Sequence, residues 1–85
     1  MSLDLNLLKN YLLQNIISQK KSIEMDEPLF STGFIDSFGT LDLIFFLNAQ
    51  FGTSIEYYEI VDNNVDSLND LVKLIQSKLL TSKPL

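Results

Sequence analysis

The chain has 85 residues, a formal charge of −5, and neither cysteine nor histidine. That composition leaves no disulfide, no thiolate metal site, and no imidazole to act as base or ligand. A chain of this length forms one domain, residues 1–85, burying about 60–65% of its unfolded surface, which favours a carrier or binding module over an enzyme with a core cleft.

Leu5, Leu8, Leu12 and Ile16 recur at helical spacing, with Lys9, Asn10, Gln14 and Ser18 on the opposite side. The pattern predicts an amphipathic helix over residues 3–19. Met1 precedes Ser2-Leu3-Asp4, not a basic and then apolar leader, and no apolar run reaches about 18 residues. Neither a secretory signal nor membrane insertion is expected, and the default location is cytoplasmic. Net negative charge argues against nucleic acid and suits either steering toward basic protein surfaces or solubility alone, which charge does not separate.

Residues 20–36 form a long connection containing Pro28 and Gly33. A stretch of this length without periodicity is usually functional or disordered. Ile23, Met25, Leu29, Phe30 and Phe34 are too many apolar side chains for a disordered linker, so the loop is expected to lie against the bundle and close part of its core. Gly33 suits a backbone turn just before the next helix.

The second helix is expected over residues 37–51, with Asp36 as N-cap and Gly52 as a left-handed C-cap. The Asp36 carboxylate can accept from the free N–H of Phe38 or Gly39, which puts Ser37 at the first helical position. Orphan amides and the positive end of the helix dipole favour an anion there, so a phosphodiester on the Ser37 oxygen is electrostatically acceptable. Leu43, Leu47 and Phe51 form a core stripe, while Phe38, Leu41, Ile44, Phe45 and Phe46 widen the apolar surface beyond one face. Periodicity leaves two readings of Phe38 and Phe45: an exposed interaction patch beside Ser37, or packing under the loop or the third element.

Residues 56–61 have room for a short third helix, with Tyr57, Tyr58 and Ile60 placed to cover the groove beside helix two. Ser67 and Asp70 have capping-box spacing, and Leu68, Leu71, Val72, Ile75 and Leu79 then predict a fourth helix over residues 67–80, followed by a frayed end. Asp62, Asn64 and Asp66 superficially match the first ligand positions of an EF-hand loop. Ser67 stands where that loop needs glycine and Lys73 where it needs a bidentate acid, so the segment reads as a polar turn.

On the Asp-Ser pair alone, Ser37 is an ordinary polar helix start. A serine nucleophile of a hydrolase needs an adjacent base, and without histidine only an unusual lysine or carboxylate arrangement is left to supply it. Taken together, however, Gly33, Asp36, Ser37 and the following apolar residue resemble the modification site of acyl carrier proteins. The similarity continues through Leu41, Leu43, Leu47, Phe51-Gly52, Ile55 and Asp66-Ser67-Leu68. The stretch Asp36-Ser37-Phe38-Gly39-Thr40 is especially similar to the D-alanyl carrier proteins, whereas residues 55–65 are less so.

The resemblance implies an all-α fold, a small four-helix bundle of acyl-carrier-protein type with a long loop between helices one and two and a short helix three. It implies a non-enzymatic acyl or aminoacyl carrier, a monomer, holding intermediates as thioesters on a 4′-phosphopantetheine arm attached to Ser37. A specialised biosynthetic pathway or a D-alanyl-type system is then expected. A phosphopantetheinyl transferase would move the arm from coenzyme A with Mg²⁺, releasing 3′,5′-ADP, and a loading enzyme and downstream acyl-transfer enzymes would follow as partners. Asp36 would cap the helix and help the transferase orient the serine. Many acyl carrier proteins present several acids along helix two, but here Asp42 is followed by Asn48, Ala49 and Gln50 on the comparable face. Partner selection is therefore expected to rest on Phe38, Asp42, Ile44 and Phe45, with more weight on apolar contact than on charge. Gly39 costs about 1 kcal/mol relative to Ala within a helix, and either close approach of a partner or the arm, or tolerance near a helix end, would account for it. The alternative to a carrier is an unmodified helical adaptor of the same fold that binds a partner through its aromatic patch.

Overall fold

Asp4 opens the first helix, its Oδ1 accepting from the Leu7 N–H at 3.1 Å, in a computed structural model that describes residues 4–81. Helix α1 spans Leu5–Tyr11 and runs directly into a π-helical turn over Leu12–Ile16. The helix ends earlier than the expected residue 19, and the wider turn is the reason. An ordinary helical step separates the buried Leu8 and Leu12, but the next fully buried side chain is Ile17, not Ile16. The Ile17 N–H donates to Leu12 O at 2.7 Å, closing the five-residue π ring. One inserted residue thus turns Ile17 inward and leaves Ile16 half-buried against the next helix. Residue 3 and the expected frayed end at 82–85 lie outside the described residues.

The connection from Lys20 to Asp36 is ordered by burial, as its apolar content predicts. Ile23, Leu29 and Ile35 join the core, while Met25, Phe30 and Phe34 pack on its edge. Its polar anchor is Asp66, whose Oδ1 accepts the N–H groups of Leu29, Phe30 and Ser31 at 3.1, 2.8 and 2.9 Å. The Ser31 hydroxyl donates to the other carboxylate oxygen at 2.6 Å. Four donors hold the Asp66 carboxyl below its ordinary value, the Ser31 hydroxyl contributing most. Gly33 turns the chain with φ of 83°.

Helix α2 spans Ser37–Phe51 and matches both expected limits; Gly52 closes it at φ 68° and donates to Asn48 O at 3.0 Å. Leu43 and Leu47 are fully buried and Phe51 partly so. Asn48, placed on the outer face by sequence, instead folds back on the following link. Its Oδ1 accepts from Ile55 N and Thr53 Oγ1, both at 2.8 Å, and its Nδ2 donates to Ile55 O at 3.1 Å. Short helix α3 covers Tyr57–Asp62 and buries Ile60. Its first turn is closed by Glu59, whose Oε1 accepts from Glu56 N at 2.9 Å.

Helix α4 spans Leu68–Thr81. The anticipated cap is reciprocal: Asp70 N donates to Ser67 Oγ at 3.3 Å, and Ser67 N donates to Asp70 Oδ2 at 3.2 Å. Leu68, Leu71 and Ile75 complete a core drawn from every segment. Lys78 and Glu59 pair at 3.1 Å, joining α4 to α3. The described residues form an all-α fold of four helices. None of these helices is long and apolar enough to cross a membrane.

Candidate functional site

Ser37 is exposed and is the first residue of α2. The Asp36 side chain supplies the cap, accepting from the Gly39 N–H at 2.8 Å and not from that of Phe38. Its backbone carbonyl accepts both Thr40 N and Thr40 Oγ1 at 2.8 Å, so the residue before the serine is held by three bonds. The N–H groups of Ser37 and Phe38 have no partner among the described residues. Two orphan donors at the positive end of a helix of 15 residues therefore lie beside the hydroxyl.

A groove of about 530 Å³ opens at Ser37 between the loop, the first turn of α2 and α3. Phe30 and Ile35 line the loop side, and Tyr57, Ile60 and Val61 the α3 side. No lysine lines it. The expectation that Tyr57 and Ile60 face this groove holds, whereas Tyr58 is turned to solvent and is 62% exposed.

The structure decides between the two readings of the aromatics. Phe38 and Phe45 are 85% and 79% exposed, and Leu41 between them is 54% exposed. These residues stand at i, i+3 and i+7 and form one apolar stripe leading away from Ser37. Ile44, expected in the same surface, is corrected: it is 9% exposed and belongs to the core beside Leu43 and Leu47. The 100° step of a helix places it on the flank next to the Leu43 stripe, where α2 meets its neighbours.

Asp42 is on the surface, but its carboxylate has an internal partner. Oδ1 accepts from the Tyr11 hydroxyl at 2.5 Å, and the Tyr11 ring stacks on Phe46 at 3.8 Å between centroids and 11° between planes. Donation to Asp42, helped by burial and by the carboxylate charge, pushes the Tyr11 phenol above its ordinary value. Nothing in the sequence pairs residues 31 positions apart, and Tyr11 reads there only as one more helical side chain.

Gly39 is also explained by the chain itself. A Cβ at this position would stand 3.0 Å from Cγ2 of Ile16, so the close approach is that of the π-helical turn. Asp62, Asn64 and Asp66 do not converge as ligands: Asp66 is committed to the loop, Asn64 takes φ of 53°, and no group of three or more metal-ligating side chains occurs among the described residues. No family model matches the chain.

Proposed function

We propose that the chain is an acyl or aminoacyl carrier that holds its cargo through a 4′-phosphopantetheine group on Ser37. The observation that carries this reading is the Ser37 hydroxyl: exposed, at the first position of α2, beside two backbone N–H groups that have no partner among the described residues, and at the mouth of an open groove. The four-helix arrangement, with its long ordered loop and short α3, agrees with a bundle of acyl-carrier-protein type.

The residues fit such a group. An exposed alcohol gives a transferase access, and the helix end favours the negative charge of a phosphodiester. In the modifying step, catalysed by the transferase with Mg²⁺, the Ser37 oxygen bonds to the β-phosphorus of coenzyme A. The bond from that phosphorus to 3′,5′-ADP breaks, and the serine proton leaves to a base of the transferase. When attached, the group supplies a terminal thiol for thioester linkage, and tethering raises the effective concentration of cargo at successive enzymes. The chain's own residues present and orient: Asp36 sets the start of the helix, the groove shelters the region beside the attachment point, and Phe38, Leu41 and Phe45 offer an apolar docking stripe. The partners are the transferase, a loading enzyme and acyl-transfer enzymes, and the chain contributes no catalytic group of its own.

Incubation with coenzyme A, Mg²⁺ and a broad-specificity phosphopantetheinyl transferase, followed by intact-mass spectrometry, tests the assignment. One added phosphopantetheine that maps to Ser37 supports it. An unchanged mass overturns it in favour of an unmodified adaptor.

A further inference from the structure

Gly39 sits where the π-helical turn comes closest to the first turn of α2. A Cβ there would lie 3.0 Å from Cγ2 of Ile16, 3.3 Å from Oδ1 of Asp36 and 3.3 Å from Cγ2 of Ile35. Optimal carbon contacts fall at about 3.5–4.0 Å, so all three neighbours would have to give way. None is the free end of a long side chain. The two methyl groups are attached at a branched Cβ and move little without the backbone. Ile35 is 2% exposed, and the Asp36 oxygen is the one that accepts from Gly39 N at 2.8 Å. The space that a side chain on residue 39 would fill is thus bounded by Ile16, by Ile35 and by the capping carboxylate oxygen.

We propose that Gly39 is a positioning residue for the modification of Ser37. Its missing side chain lets Ile16 brace the Asp36 cap, and the cap holds the backbone from which Ser37 is presented to the transferase. The functional half of this inference rests on the carrier reading; the brace itself does not. Alanine has the higher helix propensity, so a glycine without such a role would gain helix stability on replacement. Ile16→Leu moves the branch from Cβ to Cγ and removes the Cγ2 methyl at nearly constant volume, giving a rescue variant.

The full chain, Gly39→Ala, Ile16→Leu and the double variant are compared in two measurements. The first is loading by a broad-specificity phosphopantetheinyl transferase with coenzyme A and Mg²⁺, with kcat and KM separated. The second is amide exchange at residues 39 and 40 in the unmodified protein. Gly39→Ala is expected to lower kcat about five- to tenfold with KM within about twofold, because a displacement of a few tenths of an ångström misplaces the nucleophile. Exchange at both amides quickens, and Ile16→Leu restores both readouts. Wild-type kcat with unchanged exchange in Gly39→Ala overturns the proposal, as does a double variant that recovers neither. An unfolded Gly39→Ala that Ile16→Leu leaves unfolded also overturns it. If even the wild-type chain takes no group, the carrier reading falls, and exchange alone judges the brace: faster exchange relieved by Ile16→Leu supports it, and unchanged protection overturns it.

Discussion

The Tyr11 hydroxyl donates to Asp42 Oδ1 at 2.5 Å while the same ring stacks on Phe46, so one side chain joins α1 to α2 by both its polar and its apolar parts. Tyr11→Phe keeps the stack and deletes only the hydrogen bond. It is expected to cost about 1 kcal/mol in urea denaturation at pH 7, the usual net worth of such a bond. The phenol is raised above 10.0 in the folded chain. The folded state therefore holds that proton more tightly than the unfolded one. The associated stability is fully present below pH 10 and is lost as pH rises through the folded value. Denaturation midpoints at pH 8 and pH 11 should differ more in the wild type than in Tyr11→Phe.

Asp66 is the polar anchor of the long loop, with three backbone N–H groups and the Ser31 hydroxyl directed at one carboxylate. Asp66→Asn replaces an acceptor-only group with one that must turn an NH₂ toward donors. A loss of about 2–3 kcal/mol is expected, with helical circular dichroism largely kept. The carboxyl is held below its ordinary value, so its contribution is complete above about pH 4 and fades as pH falls through the folded value. Acid titration of the wild type should show this decline, and in Asp66→Asn that component should be missing.

Ser37→Ala removes an exposed hydroxyl that takes part in no hydrogen bond among the described residues. Stability should change by less than about 0.5 kcal/mol while phosphopantetheine loading is abolished. Asp36→Ala separates capping from attachment: it should cost about 1 kcal/mol and slow loading without preventing it. Thermal melts and intact mass on the same samples check both.

Phe38 and Phe45 protrude, whereas Ile44 between them in sequence is buried. Phe38→Ser and Phe45→Ser should leave stability within about 0.5 kcal/mol. As docking anchors they should each weaken binding to the transferase or loading enzyme by about 2 kcal/mol, with little change between low and high salt. Ile44→Ala should behave in the opposite way, losing about 2–4 kcal/mol of stability through the cavity it leaves. Calorimetric titration beside urea melts distinguishes the two classes.

Helix limits were legible wherever the signal is local. Asp36 and Gly52 bound α2, Ser67 and Asp70 open α4, and Gly33 turns the loop, because caps and positive φ depend on a residue and its near neighbours. The candidate serine and its cap were readable for the same reason. The end of α1 was not, because a π turn is chosen by what Ile17 gains on burial among residues distant in sequence.

Long-range matters belonged to the folded chain alone. Tyr11 found Asp42, Asp66 found residues 29–31, and Ile16 took the space at Gly39 only after the helices had assembled. The exposure of Phe38 and Phe45 against the burial of Ile44 also waited on packing, since a helix apolar on more than one face has a core stripe, Leu43, Leu47 and Phe51, that does not say which of its apolar flanks faces inward. Hydrophobicity sets how much surface must be hidden. The geometry of the neighbouring helices selects which side chains stay outside.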